Sequence, residues 1–161
     1  MAPQEAQRIV RRFLEEAWNK GNLDVVDELI ASEYRLHATV PLLPLFGGPV
    51  LLEGTVLTPT ERIKQSILLR RAAFPDWRAS VERMVVEGDT VATLQRGTGS
   101  HLGEYLGVPP TGKTATMTSM SIRRISGGMI VEEWLVIDAA DFVHQLGLLS
   151  EVAGQERTAI G

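Results

Sequence analysis

Apolar residues along the chain recur first at helical spacing and later at strand spacing. Ala6, Ile9, Val10, Phe13, Leu14 and Ala17 fall three or four apart, while Arg8, Arg11, Arg12, Glu15 and Glu16 fill the other positions. That spacing predicts an amphipathic helix over Pro3 to Asn19, stopped by Gly21. Asn22 is placed to cap a second, short helix from Leu23 to about Ile30, with Asp24 in its first turn. Glu33 to Thr39 reads as a short strand. The next stretch, Val40 to Thr55, sets Pro41, Pro44, Pro49, Gly47, Gly48 and Gly54 among Leu and Phe, and reads as an apolar loop. Loops of that length are uncommon and often serve as lids or pocket walls; the alternative is a segment tucked over the core or into a subunit contact.

Thr58-Pro59-Thr60-Glu61 carries a hydroxyl cap, a proline in the first turn and a glutamate three residues on. It predicts a third helix, ending near Ala73 before Pro75. Strand character then takes over. Trp77 to Glu87 and Thr90 to Ser100 flank Gly88-Asp89; Thr114 to Ser126 and Met129 to Ile137 flank Gly127-Gly128. Both pairs read as hairpins. Tyr105 to Lys113, with Pro109, Pro110 and Gly112, is the loop between them. Asp138 to Gly147 is a last helix, and residues from about 150 onward read as a frayed tail. The order predicts an α+β fold: one domain over 1–149, a flexible tail over 150–161, and helices packed on one face of a curved antiparallel sheet that forms a cone. Apolar residues on both faces of the late strands (Met117, Met120, Ile122, Leu135, Ile137) predict that the outer face is covered as well, by a second copy in a homodimer.

Composition narrows the function classes. The chain has 161 residues, 44% hydrophobic and 22% charged, with a net charge of −4 and no cysteine. The charge offers no footprint for nucleic acid or an anionic membrane. Lack of cysteine removes disulfides, thiolate metal sites and a thiol nucleophile. No apolar run approaches the ~20 residues that span a bilayer. The polar N-terminus does not read as a signal peptide, so a cytoplasmic protein is expected. The three histidines, His37, His101 and His144, lack ligand spacing, so no metal site is expected.

Candidate chemistry centres on Asp138, a lone carboxylate where a strand hands over to a helix. Strand alternation puts Ile130, Glu132, Trp134, Val136 and Asp138 on one side, which reads as buried. An acid there is either a helix cap or a functional base. An ordinary carboxylate is a weak base, and burial beside Trp134 and Val136 would make it a stronger one. Glu132 lies about 20 Å away along the strand, too far for a carboxylate pair. His101, between a strand and the glycine-rich loop, is placed either to donate to a developing enolate oxygen or only to close the loop. His37 shares a face with Arg35 and Thr39, opposite Leu36; that mixed polar face suits either a pocket or solvent, and in a pocket His37 is a second candidate for the catalytic helper. His144 is expected at the surface or a subunit contact. Arg96 either binds a substrate oxygen or lies outward. Trp134, Met117, Met120, Tyr105, Trp18 and Phe46 complete the expected pocket lining.

Several segments together resemble the SnoaL-like polyketide cyclases of the nuclear-transport-factor-2-like superfamily. They are the run from Trp18 to Leu29, Ala73-Phe74-Pro75-Asp76-Trp77, Val86-Glu87-Gly88-Asp89-Thr90-Val91, the run from Gly99 to Lys113, and the run from Ile125 to Trp134 followed by Asp138. The resemblance implies a cofactor-free intramolecular aldol closure on an apolar, polyoxygenated substrate, with Asp138 by position the base. Two patterns of the superfamily are missing: the Asp-Arg-Asp constellation of its epoxide hydrolases and the two acids plus tyrosine of its steroid isomerases. The sequence leaves two other readings open, a non-catalytic small-molecule-binding or dimerisation module and a hydrolase or isomerase on a small apolar ligand.

Overall fold

The computed structural model describes residues 2–38, 57–105 and 107–147. The expected apolar loop, with Phe46 in it, and the expected tail lie outside these residues. Helix α1 (Pro3–Arg12) continues without a break into a π-helical stretch (Phe13–Asn19), followed by α2 (Asp24–Leu29), β1 (Ile30–Ala38), α3 (Pro59–Ala73), β2 (Arg78–Glu87), β3 (Thr90–Ser100), β4 (Thr114–Ser126), β5 (Met129–Ile137) and α4 (Ala139–Leu146). The strands form one curved, unclosed five-stranded sheet in the order β1-β5-β4-β3-β2. β1 runs parallel to β5, and the other neighbours are antiparallel.

Local chemistry explains the boundaries. At α3 the capping box is complete: the Thr58 hydroxyl accepts from the Glu61 backbone N–H, and the Glu61 carboxylate accepts from the Thr58 N–H at 2.7 Å. Asn19 ends the first helical stretch by clamping β2, donating to the Ala79 carbonyl at 2.9 Å and accepting from its N–H at 2.8 Å. The expected cap at Asn22 is weaker: Leu23 takes the cap position, and the Asn22 side chain accepts from the Asp24 N–H at 3.3 Å. Asp76 ties the turn after α3 to the end of β3 by accepting from the Ser100 N–H and hydroxyl at 2.7 and 2.8 Å. Those bonds hold its carboxyl below the usual range.

All described helices pack on one face of the sheet, in two apolar clusters. The first joins α1, α2 and the π-helical stretch to Val91, Ile125 and Ile130. The second gathers Phe74, Trp77, Tyr105, Met117, Phe142, Val143 and Leu146 beneath α4. Gly97 makes the second cluster possible, because a Cβ there would overlap the Trp77 indole. Gly97→Ala is therefore expected to cost about 2–3 kcal/mol, read as a lower urea midpoint at unchanged slope. No helix among the described residues is long and apolar enough to cross a membrane.

Candidate functional site

Period-2 alternation sorts every strand residue onto an inner face, against the helices, or an outer face. Three inner rows run across β5, β4 and β3. They are Ile137-Ser119-Gln95, Leu135-Ser121-Thr93 and Glu133-Arg123-Val91. The middle of this face is polar, between the two apolar clusters. Buried polar groups persist when they are hydrogen-bonded, and these bond to one another, except that the Arg123 Nε–H has no partner among the described residues. Arg123 Nη2 and Glu133 form an ion pair at 2.7 Å, with side-chain exposures of 4% and 7%. Tyr34, inward on β1, donates its phenol hydrogen to Glu133 Oε2 at 2.8 Å. Burial, then the Glu133 charge, push the Tyr34 phenol far above its usual range and keep it a donor. Arg123 also donates to Thr93 Oγ1 at 3.1 Å and Ser121 Oγ at 3.2 Å, and Gln95 donates to Thr93 Oγ1 at 2.8 Å.

At the β1 edge the same face is less covered. Leu36 is 46% exposed, and inward-facing Ala38, Leu135, Ile137 and Ser119 are half-buried. The concavity thus has a partly open, mostly apolar side and a polar floor.

Asp138 stands one residue past Ile137, at the end of β5. Its Oδ1 accepts from the Asp141 N–H at 3.2 Å and caps α4, whose far end is closed by left-handed Gly147. Oδ2 has no hydrogen-bond partner among the described residues. Asp138 is exposed, contrary to the expectation of burial beside Trp134 and Val136. Those two side chains lie on the outer face, at 42% and 58% exposure. The β5 alternation also breaks: a bulge separates Ile130, which faces inward opposite Ile125, from Glu132, which faces outward opposite Arg124.

His101 is completely buried, its ring stacked on Phe74 at 5.2 Å. Its Nδ1 accepts from the Thr111 N–H at 3.2 Å, its N–H donates to Lys113, and its carbonyl accepts from Gly112. These bonds close the loop after β3. Burial pulls its pKa below the ordinary 6.5. A lowered histidine pKa means that the unfolded chain binds the proton more readily, so stability falls as pH drops through about 6.5. Replacing His101 with Gln, an acceptor that does not titrate, is expected to flatten stability against pH between about 7 and 5. Chemical denaturation across that range measures it.

The remaining expected site residues separate by face. Met117 and Tyr105 lie inward, in the second apolar cluster, and Trp18 packs against the first. Met120 is outward and exposed, because positions 117 and 120 cannot share a face at period two. His37 is outward too, stacked on Trp134 at 5.0 Å and bonded to Glu132 at 2.9 Å. Arg96 is outward and paired with Glu82 at 2.8 Å. The sequence reading missed Tyr34, Thr93, Gln95, Arg123 and Glu133. Its available signal was the polar alternation Ser119-x-Ser121-x-Arg123 beside Thr93-x-Gln95, which at period two belongs to one face.

Comparison with known proteins agrees with this architecture. TsrD from Streptomyces laurentii superimposes with a TM-score of 0.75 at 23% identity, over 92% of this chain and 99% of that one, and shares the fold. IdmH from Streptomyces antibioticus, a candidate polyketide cyclase, is 34% identical with a TM-score of 0.69, over 88% of this chain and 98% of that one. A further candidate polyketide cyclase, from Acidithiobacillus ferrooxidans, is 28% identical with a TM-score of 0.72, over 91% and 98%. No curated protein matches. The family model for SnoaL-like polyketide cyclases matches residues 8–146, and the chain belongs to that family.

Proposed function

We propose that the protein is a cofactor-free cyclase that takes a flat, apolar, polyoxygenated ketide onto the inner face and closes a ring by an intramolecular aldol step. The observation that carries this reading is the polar floor between two apolar clusters, beside a partly open apolar edge. Apolar walls take the carbon skeleton, and convergent polar groups orient its oxygens. Asp138 is the base. Its Oδ2, unpartnered among the described residues, takes a proton from the methylene between two carbonyls; such a carbon acid is acidic enough for a modest base. The resulting enolate carbon attacks a carbonyl carbon farther along the same chain. One C–C bond forms, the C=O π bond becomes an alkoxide, and the alkoxide takes up a proton. His101 was expected from its place in the sequence as the electrophilic helper, but its complete burial and its loop bonds favour a structural role.

Incubating the protein with a panel of polyaromatic diketones in ¹⁸O-labelled water tests the reading. A cyclised isomer of unchanged mass, or its dehydration product, supports it. Incorporation of label on bond cleavage marks a hydrolase instead, and tight binding without product marks a binding module.

The outer face favours a homodimer. Val85, Met120, Ile122, Trp134 and Val136 expose apolar surface there, and no described element covers them. Met120→Lys is expected to convert a dimer to a monomer in analytical ultracentrifugation, since a lone buried lysine opposes association.

A further inference from the structure

The hydrogen-bond accounting of the inner floor leaves the hydroxyl hydrogens of Thr93 and Ser121 unused, beside the buried Arg123 Nε–H, which also lacks a partner among the described residues. A hydroxyl offers one hydrogen and two acceptor lone pairs. Thr93 Oγ1 accepts from Gln95 Nε2 at 2.8 Å and from Arg123 Nη1 at 3.1 Å, which fills both lone pairs. Ser121 Oγ accepts from Arg123 Nη2 at 3.2 Å. Neither hydroxyl hydrogen has an acceptor among the described residues. Both residues are 2% exposed, so bulk water does not serve them. They are direct partners across β3 and β4 on the inner face, which puts their Cβ atoms about 5 Å apart. Arg123 donates to both. A hydroxyl that accepts from a guanidinium is polarised and becomes a stronger donor. Glu133 balances the guanidinium charge, and Tyr34 fixes Glu133, so the assembly is held rigidly without a net charge.

We infer that Thr93 and Ser121 form a two-hydroxyl subsite that binds one carbonyl oxygen of the ligand and stabilises the negative charge that grows on it when the neighbouring carbon loses a proton. This inference rests on the proposed inner-face site, and it deepens that reading by naming the group of the substrate that is recognised. Two preorganised donors aimed at a developing oxyanion, out of bulk water, are an effective source of rate enhancement. They are positioned by Arg123, which does not touch the ligand oxygen itself.

Two probes of one shape separate oxygen recognition from pocket filling: 2-acetylnaphthalene and 2-isopropenylnaphthalene, in which a methylene replaces the carbonyl oxygen. Their dissociation constants are read by fluorescence titration of the whole chain, and the quantity compared is the ratio of alkene to ketone. The Thr93→Val, Ser121→Ala double variant is expected to lower that ratio about tenfold, with alkene binding retained as the check on folding. Thr93→Ser and Ser121→Thr, which keep the hydroxyls, are expected to keep the ratio, as is Asp138→Asn. If the double variant loses both probes, Thr93→Val and Ser121→Ala made singly decide, and each has to lower the ratio. An unchanged ratio in variants that still bind the alkene overturns the subsite and assigns the hydroxyl hydrogens to buried water. A wild type that binds neither probe overturns the inner-face pocket itself, and the subsite with it.

Discussion

Asp138→Asn is expected to remove cyclisation by a factor of about 10² to 10⁴ in kcat while leaving the melting temperature unchanged. The two halves of the expectation come from the two oxygens of one side chain. Oδ1 caps α4 by accepting from Asp141, and an asparagine oxygen caps about as well as an aspartate oxygen. Oδ2 has no described partner and is the oxygen assigned to proton removal; an amide nitrogen there accepts no proton. Asp138→Ala separates the roles further, since it should lose rate to the same extent and also lose about 1 kcal/mol of stability with the cap. Steady-state turnover of a diketone found by the product panel, beside thermal unfolding of each variant, measures both. Equal turnover in wild type and Asn variant would reduce Asp138 to its cap.

Glu133→Gln carries the largest expected stability loss. It leaves the Arg123 guanidinium buried at 4% side-chain exposure with its counter-charge removed and only neutral partners remaining. Removing one partner of a buried ion pair typically costs about 3–5 kcal/mol. That is a large share of a small domain's stability of about 5–15 kcal/mol, so partial unfolding at 37 °C is expected. Tyr34→Phe deletes a single bond to the same carboxylate and should cost only about 1 kcal/mol. Replacing both ion-pair partners with apolar residues should recover much of the loss, because the penalty lies in the lone charge rather than in the missing attraction. Urea unfolding of the three variants orders them; a Glu133→Gln midpoint equal to wild type would show that Arg123 reaches water.

Most of the fold was legible because its signals are local. The capping box of α3, the Gly88-Asp89 and Gly127-Gly128 turns, and the period-2 runs between them set α3 and β2 to β5 within a residue of where they lie. The parallel pairing of β1 with β5 was not legible, since it joins residues almost a hundred positions apart and no turn announces it. The site was harder for a related reason. Alternation states that Met117 and Met120 oppose each other, but which face turns inward is decided by the helices, and both faces of β4 carry apolar residues. Trp134 and His37 were drawn into the expected site by their chemistry, whereas their register on β5 and β1 carries both outward. Arg123 and Glu133 were passed over because charged residues on a strand ordinarily face water; here each makes the burial of the other tolerable.

The most direct measurement of the central claim is deuterium uptake at the activated methylene of 1-(2-naphthyl)butane-1,3-dione in D₂O, followed by NMR with wild type and Asp138→Asn. The account predicts that wild type accelerates exchange at that carbon well above the buffer rate and that the Asn variant, still folded and still binding the diketone, does not. Exchange at the buffer rate in wild type that has the diketone bound would contradict proton abstraction by this protein.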